Sequence, residues 1–342
     1  MRVFLREGST SKNLKDLLPL VNQDNIDRFV FCTDDRHPKD LLEEGHIDYM
    51  VRLAIEHGIA PALAVRMASL NAARHFGLEN IGAIAPGYEA DLLVLDDLDS
   101  CRIGQVYKGG VLVAEQGEVV YEPPKVEKIH LRSSINVKEL SLEDFRIPAD
   151  GSTANVIGLI PNQLITEHLR EEVASRDGEV VGDLDSDILK IFVVERHHAS
   201  DNIGRGLVKG LGLKRGAMAS SVAHDSHNII ATGVSDEDIF AAVLGVVKLR
   251  GGLVVVSEGK TLASLALPIG GLMSDQPLAD VEAQLKELHD ASHQLGASVE
   301  DPLAALSFLG LTVIPALKLS DLGLVDVNAG RVIGLFEETG SS

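Results

Sequence analysis

The chain has 342 residues, 45% of them hydrophobic, and a formal charge of −20 from 51 acidic and 31 basic side chains. That excess of acid excludes a nucleic-acid binder, because phosphate recognition needs clustered Lys and Arg, and it gives no attraction to anionic lipid. Two cysteines (Cys32 and Cys101), no tryptophan and no run of about 18 uninterrupted apolar residues exclude a disulfide framework, a cysteine zinc site, an aromatic stacking platform and a helical membrane span in these residues.

In chain order, Val3–Leu5 is a short apolar run, and 13–21 is predicted to be a helix with Leu14, Leu17 and Leu18 on one face. Phe29–Cys32 reads as a buried parallel strand that ends in the polar cluster Thr33–Asp34–Asp35–Arg36–His37–Pro38. Two helices are predicted next. Residues 48–57 stop at Gly58, and residues 61–76 begin with Pro61 and stop at Gly77. From Asn80 short β runs broken by Gly and Pro predict a small antiparallel sheet, with a turn at Gly109–Gly110 and a boundary at Pro123–Pro124.

Beyond about residue 150 the texture is α+β. Apolar β runs lie at 156–160, 188–195, 217–222, 229–232 and 253–257. Ser235, with Asp238 three residues on, opens a helix that stops at Gly251–Gly252. A second helix, 279–295, carries Val281, Leu285, Leu288 and Leu295 on one stripe. At roughly 150 residues per domain the length predicts two or three domains. The sparse cysteines and an amino-terminal stretch without a signal-peptide apolar run point to a reducing cytoplasm.

Three segments resemble the adenine deaminase family of metal-dependent amidohydrolases. IGAIAPGYEADLLVLD (81–96) is similar to the segment where many amidohydrolase barrels pass into a β-sandwich. TDDRHP with EGHIDYMVR, inside 31–78, resembles adenine deaminases in particular. VVERHHASDNIGRGLVKGLGLKRGAMASSVAHDSHNIIATG (193–233) is similar to the extra carboxy-terminal domain of those enzymes. The resemblance implies three parts. Residues 1–78 would hold the last two strands and helices of a (β/α)8 barrel, 79–125 part of a composite β-sandwich, and 126–342 an α+β C-terminal domain. It also implies that VFLREGS is the seventh barrel strand and FVFCTDD the eighth. The H-x-H pair and the middle-strand ligands would then precede Met1, and no H-x-H occurs in these residues. Met1 then stands for an internal methionine of a longer gene, a truncated product or one member of a split pair.

The activity implied is hydrolysis of adenine to hypoxanthine and ammonia in purine salvage. It would use a divalent metal, manganese first and iron or zinc as alternatives. Asp34, straight after the buried strand, is the implied metal ligand and proton shuttle. From the residues alone, Asp34 or Asp35 capping the next loop or helix reads better. Arg36 and His37 either orient the carboxylates or purine or close a loop ion pair. Arg6, Glu7 and Ser9 either reach the substrate or make turn contacts, and His46 and His57 are expected to satisfy helix ends. Two polar knots, Glu195–Arg196–His197–His198 and His224–Asp225–Ser226–His227–Asn228, line either the active-site mouth or a structural turn network, and H-x-x-H between β runs is weak evidence for metal. The expected partners are adenine, an amino-terminal half or full-length copy, and further copies in a homo-oligomer. A non-catalytic binding or interaction module is the alternative function. The first 125 or so residues are expected to be looser than the last domain.

Overall fold

The computed structural model describes residues 1–10, 12–122, 134–161 and 163–336, in two compact units, Met1–Ile129 and His130–Ser342.

In the first unit, β1 (Val3–Arg6) and β2 (Phe29–Cys32) pair in parallel, Leu5 beside Phe31 and Arg6 beside Cys32. Between them the predicted helix 13–21 is one α turn, α1 (Leu14–Leu17), followed by a 3-10 turn over Leu18–Leu20. Pro19 lacks the N–H that would continue an α ladder. Then come α2 (Pro38–Glu43), α3 (Ile47–Glu56), α4 (Pro61–Ala68) and α5 (Leu70–Phe76). The single helix expected over 61–76 is broken at Ser69, whose Oγ donates back to Val65 O at 2.7 Å and whose backbone leaves the helical region. The polar stretch before α3 is itself partly helical, as α2, an element that no apolar periodicity announces.

Side chains alternate along a strand. Leu5, Phe29 and Phe31 therefore pack together against Leu14, Met50, Ala54, Ala64 and Met67 of the helices. Phe4, Arg6, Val30 and Cys32 take the opposite face. Further along, β3 (Leu92–Asp97), β4 (Arg102–Lys108), β5 (Val111–Glu115) and β6 (Glu118–Val119) form the expected antiparallel sheet in chain order. Gly109 and Gly110, both at positive φ, make its tight turn. Leu93, Val111 and Val119 stay more than half exposed on it.

The second unit contains β7 (Thr153–Leu159), β8 (Thr166–Glu172), the short pair β9 (Ser175–Arg176) and β10 (Glu179–Val180), β11 (Ile188–Val194), β12 (Ile203–Lys209), β13 (Ala217–Ser220) and β14 (Ile229–Gly233). After them come α6 (Asp236–Leu249), β15 (Gly252–Ser257), β16 (Lys260–Ala266), α7 (Leu278–Gln294), α8 (Pro302–Phe308), β17 (Leu317–Ser320), β18 (Gly323–Asp326) and β19 (Arg331–Ile333). An eight-stranded sheet runs β16-β15-β13-β14-β11-β12-β7-β8, antiparallel except between β12 and β7.

Both faces of this sheet are covered, so its central strand β11 is buried throughout and apolar except for Lys190, whose ammonium pairs with Asp236. Ile188, Phe192 and Val194 share a core with Ile239, Ala242, Val243 and Val246 of α6. Leu189, Ile191 and Val193 share the other core with Leu288, Ala291 and Leu295 of α7, Leu303 and Leu306 of α8, and Leu317, Leu319 and Leu324 of the three-stranded sheet β17-β18-β19. That small sheet needs close approach to β12: a Cβ on Gly204 would overlap Ser320 O. Ser235 caps α6 as expected, accepting from Asp238 N–H at 3.3 Å.

Candidate functional site

The carboxyl ends of β1 and β2 bring together most of the residues singled out in the first unit. Arg6 continues the face of β1 that is turned away from the helices, and Asp34 follows Cys32 on the matching side of β2. Arg6 Nη1 lies 2.9 Å from Asp34 Oδ2, and Arg6 Nη2 lies 3.5 Å from Asp35 Oδ1. Asn13 fixes the Arg6 backbone on its free edge. Its Oδ1 accepts from Arg6 N–H at 2.8 Å, and its own N–H donates to Arg6 O at 2.8 Å. Asp34 has a left-handed φ of 59°, a conformation that a short polar side chain tolerates. Its carbonyl accepts from Arg36 N–H at 3.0 Å, and its side chain is 57% exposed.

The neighbouring aspartate is built into the loop instead. Asp35 Oδ2 accepts from Thr10 N–H at 2.9 Å and from Thr10 Oγ1, while Oδ1 packs against Gly8 so closely that a Cβ there would overlap it. One of these aspartates is expected to cap the next loop or helix; neither caps the helix, because the residue before α2 is His37, while Asp35 binds loop groups. Ser9 Oγ accepts from His37 N–H at 2.8 Å and donates to Asp40. Arg36 is turned away into the next loop. It pairs with Glu44, donates to Gly45 O at 3.2 Å and lies 4.6 Å over the Tyr49 ring. Glu7 alternates with Arg6 and so shares the helix side with Leu5. It is buried, with Lys12 Nζ 4.0 Å away, and burial pushes its carboxyl above the usual range. His46 and His57 flank α3. His46 Nε2 lies 3.1 Å from Thr33 Oγ1, and His57 Nδ1 lies 2.8 Å from Leu53 O.

Among the described residues no group of three or more His, Cys, Asp or Glu side chains is assembled to hold a metal ion. Asp34 fits as a single ligand, with an accessible carboxylate engaged by Arg6 through one oxygen. One carboxylate does not make a metal site, which takes several ligands set around one point.

In the second unit the two polar knots are interlocked loops at one end of the large sheet. Arg196 is almost fully buried and donates to three backbone carbonyls: His227, Ser134 at 2.8 Å and Gly270 at 3.1 Å. Gly271 is required beside it, since a Cβ there would press on the guanidinium. Burial alone would raise Glu195, but backbone N–H groups of Ser200, His197 and His198 bind its carboxylate and hold it below the usual range. Asn228 Oδ1 accepts from Arg196 N–H at 3.4 Å. Glu195, Arg196 and Asn228 thus serve the scaffold of the loops. His197 Nε2 sits 2.8 Å from Ser226 O, and His224 stacks on Phe308 at 4.8 Å. His227 is held below the usual imidazole range by burial and then by His224 and Arg196. His198 and Asp225 are exposed. His224 and His227 have their ring centroids 6.2 Å apart, with no third ligand among the described residues.

Sequence reasoning passed over Asn13, Thr10 and Gly8, whose only signal is their place across the chain from Arg6 and Asp35. It also passed over Lys318, a buried cation in an unremarkable LKLS strand.

Residues 163–331 match the family model for the adenine deaminase C-terminal domain, and residues 5–113 match that of the amidohydrolase family. The chain is 51% identical over 337 residues to an adenine deaminase of Desulfatibacillum aliphaticivorans, covering 98% of this chain and 59% of that protein. It is 48% identical over 334 residues to adenine deaminase 2 of Carboxydothermus hydrogenoformans, covering 97% and 59%. An adenine deaminase of Dehalococcoides mccartyi is 46% identical over 333 residues, covering 97% and 58%. The chain therefore spans about 59% of the length of the curated relatives it matches.

Proposed function

This chain belongs to the adenine deaminase family, and we propose that it carries the carboxy-terminal part of an enzyme that hydrolyses adenine to hypoxanthine and ammonia. Residues 1–78 are assigned to the end of the barrel, 79–125 to a composite β-sandwich and 126–342 to the C-terminal domain. One observation carries the reading: an accessible Asp34 carboxylate, held by Arg6, at the carboxyl end of two parallel strands, the end at which such folds do chemistry. In the reaction, water adds at C6 of the purine and the exocyclic nitrogen leaves as ammonia. Asp34 takes the proton of the attacking water and returns it to the departing nitrogen. The amidohydrolase family implies a divalent metal, which activates the water when bound. We propose manganese over iron or zinc, with Asp34 as the one ligand these residues supply. We place the enzyme in the cytoplasm and in purine salvage, as a homo-oligomer.

The test measures ammonia release from adenine by residues 1–342 alone and by the same residues joined to the amino-terminal portion that the relatives carry. Alone, the chain should release none. Joined, it should be active, and Asp34→Asn should remove activity by at least about 10²-fold, with Asp35→Asn milder. Release by the chain alone at an ordinary enzymatic rate would overturn its need for further ligands. A joined chain that binds adenine without deaminating it would favour the non-catalytic module.

A further inference from the structure

Two carboxylates stand side by side after β2, and only one is free to work. Asp35 is fastened by Thr10 and wedged against Gly8. Asp34, on a left-handed residue and more than half exposed, has Arg6 as its one side-chain partner among the described residues. A lone exposed carboxylate on a loop would sample several rotamers. The fold supplies a fork against that freedom: Nη1 lies 2.9 Å from Asp34 Oδ2, and Nη2 lies 3.5 Å from Asp35 Oδ1, a charge contact to an oxygen that makes no hydrogen bond among the described residues. The base of the fork is rigid too. Arg6 ends a strand that β2 pairs on one side and Asn13 pins on the other. Its Nε is buried and has no acceptor among the described residues. The side chain is 33% exposed, so what holds the guanidinium is its pair of carboxylates and the pinned strand beneath it.

We infer that Arg6 is a positioning residue for Asp34, spanning the fixed carboxylate and the working one so that the working one is held in a single orientation. The inference rests on Asp34 being the working carboxylate of the proposed function. The geometry explains why the residue is arginine. A planar guanidinium reaches two carboxylates at fixed angles, whereas an ammonium is a point charge that can follow only one of them. It also divides labour between the aspartates. Asp35 anchors the fork, and Asp34 uses the oxygen that Arg6 leaves open. Because Arg6 takes only Oδ2 of Asp34, it orients that carboxylate without covering it.

The experiment uses the chain joined to the amino-terminal portion of its relatives and compares Arg6→Met, Arg6→Lys and Asp35→Asn with the parent. It measures kcat and KM for adenine, manganese per chain after dialysis, and far-UV circular dichroism as the check on folding. Loss of a group that orients a working carboxylate typically costs about 10- to 100-fold in metal affinity or activity. We expect Arg6→Met to lose kcat and manganese in that range while KM for adenine changes by less than about threefold, as for a misplaced group rather than a lost binding contact. Arg6→Lys should recover part of kcat, and Asp35→Asn should lower kcat at constant KM by less than Arg6→Met does. If Arg6→Met does not fold, the Arg6→Lys and Asp35→Asn pair decides in the same way. A KM that rises at constant kcat would overturn the inference by making Arg6 a substrate contact, and parental kcat and manganese in Arg6→Met would overturn it outright. An active Asp34→Asn would instead sink the reading of the site, whatever Arg6 does.

Discussion

Lys318 on β17 has no exposed surface and, among the described residues, no carboxylate partner; its Nζ donates to Leu164 O at 2.8 Å and Phe308 O at 3.1 Å. Burial lowers its pKa from 10.5 to about 8. At about 1.4 kcal/mol per pH unit, that shift amounts to about 3 kcal/mol of destabilisation wherever the lysine is charged in both states. The sign follows from proton counting. Below pH 8 both the folded and the unfolded chain hold the proton, and the fold bears the full desolvation cost. Between about 8 and 10.5 the unfolded chain binds more proton, so stability rises with pH; above 10.5 the contribution is level. Lys318→Met at a single pH mixes this gain with the cost of two carbonyls left without a donor. The difference between parent and variant, followed across pH, isolates the titration. Urea melts read by far-UV circular dichroism should show the parent gaining about 3 kcal/mol on Lys318→Met between pH 7 and 10.5. All four tyrosines lie in the first unit, so at the lower pH values, before phenols ionise at about pH 10, their fluorescence reports that unit separately. A difference that stays flat with pH would refute the desolvation of Lys318.

Gly8→Ala would put a Cβ into Asp35 Oδ1 and force the loop to shift; a loss of about 1–3 kcal/mol is expected in melts followed by tyrosine fluorescence. Limited proteolysis should cut within residues 80–122 first, where Leu93, Val111 and Val119 are poorly buried, and leave the doubly covered sheet of the second unit intact. Equal protection of both regions would contradict this.

Where one strand face was apolar and the run continuous, the fold was legible. All five β runs read beyond residue 150 are strands of the large sheet. The three that were missed each have a local reason. β8, TEHLREE, is an edge strand whose charges guard it against pairing, and β16, KTLASLA, is the opposite edge. β12 carries Gly204 and Gly206, which weaken a strand signal locally and exist because another sheet packs there. The break at Ser69 was hidden for the opposite reason. Apolar spacing runs straight through 61–76, and only a side chain bonded back to Val65 O shows that the helix is interrupted.

The site was legible as a place and not as an arrangement. A polar cluster after a buried strand marks Asp34 and Asp35 equally, and Glu7 beside Arg6 is the more conspicuous candidate for acid–base work. Alternation decides between the last two once the helix face is known. Leu5 packs against Met50 and Met67, which puts Glu7 on the helix side and Arg6 on the other. The aspartates are separated by Thr10 and Gly8, more than twenty residues earlier, so no window around position 34 holds that information. The same holds in the second unit. Arg196 ties together Ser134, His227 and Gly270, three loops far apart in sequence, and its charge is spent on carbonyls. What looks in sequence like a catalytic run, Glu–Arg–His–His, is thereby largely scaffold: Glu195 and Arg196 bind backbone groups, and His197 Nε2 sits 2.8 Å from Ser226 O.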